Sequence, residues 1–354
     1  MSETTYDHAV RVEHAYKVFG KRPKAVVDQL KAGKTREEVK DQGTAAVIDV
    51  TFDVAPGEIF VVMGLSGSGK STLIRTLNGL QPATSGQVEI KGKDIAQLTG
   101  QQLRAIRAQD MAMVFQNFAL LPHKTVIQNA AYGLEIQGTD KDKREQRAAE
   151  VLDQVGLKGW HDHYPSELSG GMQQRVGLAR ALAADNDILL MDEAFSALDP
   201  LIRREMQELL VELQKSLGKT IIFITHDLNE AMYLGDRIAV MKDGRIVQIG
   251  TPEQILNHPA DDYVASFIAD VDRGRVISAA SVMRPLEEDA DHDVDAAASV
   301  RDDATLQDAA QALLDSRGTV TVVDSTTGEP VGLLHSTEVL GAMVNTAELE
   351  KEDA

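Results

Sequence analysis

The chain has 354 residues, enough for one large domain and a smaller second one, and its hydrophobic content of 43% suffices for a buried core. It contains no cysteine, so disulfides, thiolate metal ligands and cysteine nucleophiles are excluded. Its net charge of −19 opposes binding to phosphodiester backbones, and we expect no nucleic-acid partner.

Membrane-spanning segments are not predicted. No stretch approaches the ~20 apolar residues that a helix needs to cross a bilayer. The first residues lack the basic and apolar regions of a signal peptide. We therefore expect the protein to stay in the cytosol unless a partner holds it at a membrane.

The N-terminal region predicts two strands separated by an insertion. Residues 10–16 alternate between apolar and polar side chains, as a half-buried strand does, and residues 46–52 resume a strand pattern. Between them, residues 23–43 are charged and favour helix, with a break at Gly33. This pattern predicts a short helical insertion on the surface.

A phosphate-binding loop is predicted directly after the apolar strand at 58–63. The loop consists of Gly64, Leu65, Ser66, Gly67, Ser68, Gly69, Lys70, Ser71 and Thr72. Its glycines let backbone N–H groups converge on a polyphosphate, and the positive end of the following helix points at the same anion. Lys70 would reach the β- and γ-phosphates, Ser71 would bind Mg²⁺, and Thr72 would contact the α-phosphate. The alternative is a glycine-rich turn with an unrelated lysine.

The middle of the chain predicts a helical block between two α/β portions. Strands are expected at 86–90 and 111–115, the second ending at Gln116. Residues 125–184 have an almost wholly helical pattern, and three strands follow, at 187–191, 220–224 and 237–241. This arrangement predicts a nucleotide-binding domain with two lobes.

Two adjacent carboxylates end the apolar strand that begins at residue 187. Asp192 is placed to hold Mg²⁺ or its water ligands, and Glu193 to polarise an attacking water. A strand followed by an acidic turn is the alternative interpretation. It is weak beside the phosphate loop upstream.

A second anion-binding pattern opens the helix that follows residue 168. Ser169 can cap this helix, and Gly170 and Gly171 expose backbone N–H groups at its positive end. We do not expect one ATP molecule to contact both phosphate-binding patterns of the same chain. We therefore expect a second copy of the protein to supply this turn in trans.

Taken in order, these motifs resemble the ATPase subunit of ATP-binding cassette (ABC) transporters over roughly residues 8–250. They are the phosphate loop, Gln116, the signature at 168–172, the Asp192-Glu193 pair, the segment 196–199, and His226. The resemblance implies an α/β P-loop NTPase cassette, with a RecA-like lobe and a helical lobe, that binds ATP and Mg²⁺. It also implies that Gln116 coordinates Mg²⁺ and the lytic water, that Asp199 lies at a dimer interface, and that His226 contacts the γ-phosphate. The adenine-stacking aromatic maps to Phe19, with Tyr16 as the fallback.

Within this family the chain resembles the quaternary-amine importers for glycine betaine, proline and related osmolytes. The insertion at 23–43 and the segments 63–69, 115–123 and 191–203 carry that resemblance. It implies a homodimer or paired cassette beneath ABC permease subunits at the cytoplasmic face of the membrane, served indirectly by an extracytoplasmic osmolyte-binding protein. The alternatives are an importer for methionine, polyamines or another amino acid, and a soluble cassette ATPase of DNA repair or translation.

The C-terminal region predicts a second, smaller domain. We place the cassette at 1–272 and an α/β module at 273–354, with helices at 306–314 and 337–344 and strands at 320–323 and 331–334. Residues 276–354 carry 4 basic and 17 acidic residues, a net charge of −13, including an acidic loop at 287–293 and a tail at 348–354. The module is similar to a single cystathionine-β-synthase (CBS) repeat, which implies regulation.

Overall fold

The computed structural model describes residues 7–116, 118–269, 271–286, 298–316 and 318–343. The chain divides into two compact units, Met1–Ile249 and Gly250–Ala354. This division lies on the N-terminal side of the expected domain boundary at 272/273, because the short helices after residue 250 group with the second unit. No helix within the described ranges is long and apolar enough to cross a membrane.

The first unit consists of two sheets and ten α-helices among the residues described. Its strands are β1 (Val10–Phe19), β2 (Thr44–Val54), β3 (Ile59–Met63), β4 (Ser85–Ile90), β5 (Lys93–Asp94), β6 (Met111–Phe115), β7 (Ile188–Asp192), β8 (Thr220–Thr225), β9 (Arg237–Lys242) and β10 (Arg245–Gly250). Its helices are α1 (Pro23–Lys31), α2 (Arg36–Val39), α3 (Lys70–Leu77), α4 (Gly100–Gln109), α5 (Val126–Ala130), α6 (Tyr132–Ile136), α7 (Lys141–Gln154), α8 (Gly170–Ala183), α9 (Pro200–Leu217) and α10 (Leu228–Leu234).

The six-stranded sheet positions the site. Its order is β10-β9-β3-β8-β7-β6, and β9, β3, β8, β7 and β6 pair in parallel. Strands β3, β7 and β8 are buried along their whole length, as expected of parallel strands covered on both faces. The register aligns Met63 with Thr225 and Asp192 with Phe115, so the segments after these four strands meet at one edge.

The other elements of the first unit agree with the expected two lobes. An antiparallel sheet of order β2-β1-β4-β5 contains the N-terminal strands. Helices α5 to α8 form the predicted helical block, and α1 and α2 form the predicted insertion. Four apolar residues of the insertion, Val26, Val27, Leu30 and Val39, join a buried cluster with residues of β1 and β2.

The second unit contains two short helices and a small α/β fold. Its helices are α11 (Pro252–Asn257), α12 (Asp262–Ile268), α13 (Leu306–Asp315) and α14 (Ser336–Met343), and its strands are β11 (Arg284–Pro285), β12 (Ser299–Arg301), β13 (Thr319–Val323) and β14 (Pro330–His335). The sheet order is β11-β14-β13-β12. The expected acidic loop at 287–293 and tail at 348–354 lie outside the described residues.

Candidate nucleotide site

The loop between β3 and α3 has a backbone that only glycine accommodates at two positions. Gly64 has φ +150°, and a Cβ there would lie 2.2 Å from the carbonyl oxygen of Met241. Gly69 has φ +109°, and its Cβ would lie 2.1 Å from the carbonyl oxygen of Ala46. The hydroxyl of Ser68 is buried and has no hydrogen-bond partner among the described residues. A tight loop with an unsatisfied polar atom fits a bound polyphosphate.

Lys70 is the first residue of α3 and is only 4% exposed. Its ammonium donates to the carbonyl oxygens of Gly64 at 2.7 Å and Leu65 at 3.1 Å, so it lies across the mouth of the loop. Burial lowers the pKa of Lys70, and the carboxylates of Glu193 and Asp192 act in the opposite direction. A partly desolvated cation inside such a loop is a strong partner for phosphate oxygens.

Ser71 and Asp192 provide two adjacent oxygen ligands. The hydroxyl of Ser71 donates to Oδ1 of Asp192 at 3.0 Å, and Arg75 lies 3.6 Å from the other carboxylate oxygen. Burial raises the pKa of Asp192, while the Ser71 hydrogen bond and the Arg75 charge lower it. A hydroxyl beside a carboxylate is the type of oxygen ligand pair that Mg²⁺ accepts when phosphates complete its shell.

Glu193 follows β7 in a left-handed conformation, with φ +48°. Its backbone N–H donates to the carbonyl of Ile224 at 3.0 Å, which fixes the residue beside the end of β8. Its Oε2 lies 3.2 Å from Nδ1 of His226, so the structure brings these two predicted site residues together. A carboxylate and an imidazole at the mouth of the phosphate loop can orient and deprotonate a water.

Ser196 connects the Gln116 side chain to the backbone of Glu193. The Gln116 amide nitrogen lies 3.2 Å from Oγ of Ser196, which in turn donates to the Glu193 carbonyl at 2.9 Å. Sequence reasoning placed Ser196 in a motif but gave it no role. The position three residues after Glu193, in a turn, was the available signal.

The signature residues and Asp199 occupy two adjoining helix starts. Ser169 caps α8 through a 3.3 Å bond from the N–H of Met172, and Asp199 caps α9 through a 3.1 Å bond from the N–H of Ile202. A Cβ on Gly171 would lie 2.6 Å from Ile202, so the two starts pack closely. No hydrogen bond or ion pair between described residues joins Ser169, Gly170 or Gly171 to the phosphate loop. In the described part of the chain, no such bond connects the two anion-binding patterns.

Phe19 and Tyr16 differ sharply in accessibility. Phe19, at the end of β1, is 40% exposed, and the Lys17 ammonium lies 5.0 Å from its ring centroid. Tyr16 is 5% exposed and belongs to the buried cluster beneath the insertion. A ring that stacks on a base needs an open face, which Phe19 has and Tyr16 lacks.

A largely apolar groove of about 390 Å³ lies between β6 and helices α4, α6 and α8. Phe115 and Ile136, two of its lining residues, are exposed. Arg180 also lines the groove, and its guanidinium donates to the carbonyls of Phe118 at 3.1 Å and Ala119 at 2.7 Å. These two hydrogen bonds connect residues 118 and 119 to helix α8, which begins with the signature glycines.

The fold and this site define a two-lobed P-loop nucleotide-binding protein, and comparison with known proteins makes the class specific. The ABC transporter family matches residues 47–196. The glycine betaine transport ATP-binding protein OpuAA of Bacillus subtilis is 56% identical over 78% of this chain and 67% of its own length. The trimethylamine N-oxide transport system ATP-binding protein TmoW of Ruegeria pomeroyi is 46% identical over 92% of this chain and 94% of its own length.

Solved structures agree with this match. The ATP-binding cassette MJ0796, a dimer in a post-hydrolysis state bound to ADP and Pi, is similar with a TM-score of 0.58 and 32% identity, covering 69% of this chain and 98% of that chain. The chain belongs to the family of ABC transporter ATP-binding proteins. The predicted P-loop cassette fold and the predicted ATPase class are confirmed.

Proposed function

We propose that the chain is the ATP-hydrolysing subunit of an importer for glycine betaine and related osmoprotectants. The observation that carries this proposal is the 56% identity to a glycine betaine transport ATP-binding protein. In this proposal two cassettes pair beneath ABC permease subunits at the cytoplasmic face of the membrane, and an osmolyte-binding protein delivers cargo on the other side. The groove beside Phe115 is suited to contact a permease, because it is apolar and adjoins Gln116.

ATP binding would use both anion-binding patterns, one from each copy. The phosphates would lie in the loop at 64–72 of one cassette, against Lys70, and beneath Ser169, Gly170 and Gly171 of the other. The dimeric MJ0796 cassette supports such pairing. Phe19 would stack on the adenine, and Asp199 would lie near the interface between the copies.

Mg²⁺ would be held by Ser71, Asp192 and Gln116, together with phosphate oxygens. The 3.0 Å contact between Ser71 and Asp192 supports this set, since both oxygens converge on one point. The ion would neutralise phosphate charge. Glu193 would accept the proton of the attacking water, with His226 holding its carboxylate and contacting the γ-phosphate.

A regulatory role is proposed for the C-terminal region, with the cassette at 1–272 and a CBS-like module at 273–354. The mixed sheet of β11 to β14 with two helices supports an α/β module. Every proposed nucleotide-site residue lies before residue 227, so the module would act on the cassette without contributing to chemistry.

Trimethylamine N-oxide is a second candidate cargo. The match to TmoW extends over 92% of this chain, whereas the match to OpuAA extends over 78%. Both compounds carry a nitrogen with three methyl groups, so the two candidates differ in one polar substituent. The cassette does not touch cargo, which is why the site geometry does not separate them.

Uptake by cells tests the proposal. The gene for this chain is deleted, and uptake of labelled glycine betaine, trimethylamine N-oxide and methionine is measured at high external osmolarity. We expect loss of glycine betaine uptake, restored by the normal chain but not by Glu193→Gln. Loss of trimethylamine N-oxide uptake alone would favour the second candidate, and loss of methionine uptake alone would overturn both.

A further inference from the structure

The insertion between β1 and β2 reaches the phosphate loop through one side chain, that of Arg36. One guanidinium nitrogen donates to the carbonyl oxygen of Gly67 at 3.4 Å. The other lies 3.2 Å from Oδ1 of Asp243, in the turn between β9 and β10. The guanidinium therefore joins three separate segments of the first unit.

The position of Arg36 is fixed by the contacts of α2. This helix has only four residues, too few to be stable alone. A capping box holds its start, in which the side chains of Thr35 and Glu38 each accept a hydrogen bond from the backbone of the other. Val39, at its end, is fully buried in the cluster beneath the insertion. The backbone of Arg36 is thus held between two fixed points.

The phosphate loop is anchored on one side and exposed on the other. The Ser68 carbonyl accepts a 2.8 Å bond from the N–H of Gly244, which holds the second half of the loop. Residues 65–67 are exposed, and Gly67 has φ +81° with no side chain to restrain it. Lys70 holds the two carbonyls at the start of the loop, but an ammonium engaged with phosphates holds them less strongly. Arg36 contacts the loop from outside and does not face that competition.

We propose that Arg36 is a positioning residue for the phosphate loop, which raises the affinity for ATP by holding the Gly67 carbonyl on the side of the insertion. A polyphosphate is bound by backbone N–H groups, and a carbonyl turned toward it would repel its oxygens. A loop already held in the binding conformation loses less entropy when ATP binds. This inference rests on the proposed nucleotide site.

The test compares two variants of the full chain, each of which removes one positive charge, one from α2 and one from the residue that follows it. Arg36→Gln removes the contact with Gly67, whereas Lys40→Gln removes an exposed ammonium paired only with Glu37 in the described ion pairs. We expect Arg36→Gln to raise KM for ATP by about three- to tenfold, the range for a partly exposed charged hydrogen bond. Its kcat and the KM of Lys40→Gln should be unchanged. Arg36→Lys should recover part of the affinity, since an ammonium can donate to one oxygen.

Each outcome decides the proposal. Equal KM values for the two glutamine variants would overturn it, as would a lower Tm of the nucleotide-free Arg36→Gln chain with unchanged KM. If Arg36→Gln does not fold, Asp243→Asn is tested in its place, because this change removes the carboxylate that pairs with the Arg36 guanidinium. An unchanged KM for ATP in Asp243→Asn would also overturn the proposal. Lys70→Ala separates the proposed role of Arg36 from the proposed nucleotide site. Normal ATP binding by Lys70→Ala would reject the nucleotide site itself. Lost ATP binding by Lys70→Ala, together with an unchanged KM for Arg36→Gln, would reject only the role of Arg36.

Discussion

Glu193 combines a left-handed backbone with a carboxylate 3.2 Å from His226. Replacement by glutamine keeps the side-chain shape and the hydrogen bond but removes the group that would accept a proton. We predict that Glu193→Gln lowers kcat of ATP hydrolysis by at least ~10²-fold, the typical contribution of a general base, with ATP affinity preserved. Phosphate release and equilibrium ATP binding measure the two effects. Hydrolysis at the normal rate would reject the assignment.

Phe19 is predicted to contribute base stacking. Phe19→Ala should weaken nucleotide binding by about 1–3 kcal/mol, the usual value of stacking on a nucleobase. The matched control is Tyr16→Phe, because Tyr16 is buried and its truncation to alanine would also damage the cluster beneath the insertion. Titration with ATP and with inorganic triphosphate separates base from phosphate contacts. Equal losses for both ligands would contradict stacking.

At the scale of one element, Asp199 is predicted to stabilise α9 as its N-cap. Asp199→Ala should lower the free energy of unfolding by about 1 kcal/mol, whereas Asp199→Asn retains an accepting oxygen and should not. Urea unfolding followed by the fluorescence of Trp160, the single tryptophan of the chain, measures the change. An equal loss for both variants would mean that the charge, and not the cap, stabilises the helix.

Strands with a clear hydrophobic pattern could be predicted from the sequence, and the two-residue strands could not. Alternation at 10–16 and the apolar run at 58–63 each determine a strand locally, and both strands are found. The two-residue strands β5 and β11 are too short to show the alternation of apolar and polar side chains that predicts a strand. They exist because Asp94 and Lys93 pair with β4, and Arg284 and Pro285 pair with β14, through contacts that depend on the folded chain.

Site prediction had a similar limit. Spacing and motif order identified Lys70, Asp192 and Glu193 together, because the loop before Lys70 follows β3 and the two carboxylates lie at the end of β7, at the same edge of the sheet. The link from Gln116 through Ser196 to the Glu193 carbonyl was not predicted, because Gln116 and Ser196 are 80 positions apart and meet only where β6 pairs with β7. The contact of Arg36 with Gly67 was also not predictable, because the two residues are 31 positions apart and meet only when the insertion packs against the first unit.

For the whole molecule, we predict that the C-terminal unit affects salt response and not catalysis. Residues 276–354 carry a net charge of −13, so two such modules in a pair repel each other. Salt screens that repulsion, because the Debye length falls from ~10 Å at 0.1 M to ~3 Å at 1 M. A chain truncated after Gly250 should keep its ATPase activity and lose the salt-dependent increase that we expect of the full chain.

The choice of Gly250 as the last residue of the truncated chain follows from contacts inside the second unit. Glu253 of α11 accepts hydrogen bonds from the Ser278 backbone at 2.8 Å and from the Ser281 hydroxyl at 3.0 Å, so a truncation near residue 275 would leave Glu253 without these partners. ATPase assays over a range of KCl concentrations, on full-length and truncated chains, provide the comparison. An unchanged salt response would exclude the module as the sensor. Loss of all ATPase activity would show that the residues after Gly250 stabilise the cassette.

The separation of the two anion-binding patterns predicts how a defective allele acts in a cell that also has a normal one. Since the signature turn of one copy would complete the site of the other, a defective subunit affects its healthy neighbour as well as itself. In a cell expressing normal and Glu193→Gln alleles equally, random assembly places a normal subunit beside a defective one in about half of the pairs. The Glu193→Gln allele would therefore be dominant, because it still recruits a partner. An allele such as Lys70→Ala, which fails at ATP binding, would be closer to recessive.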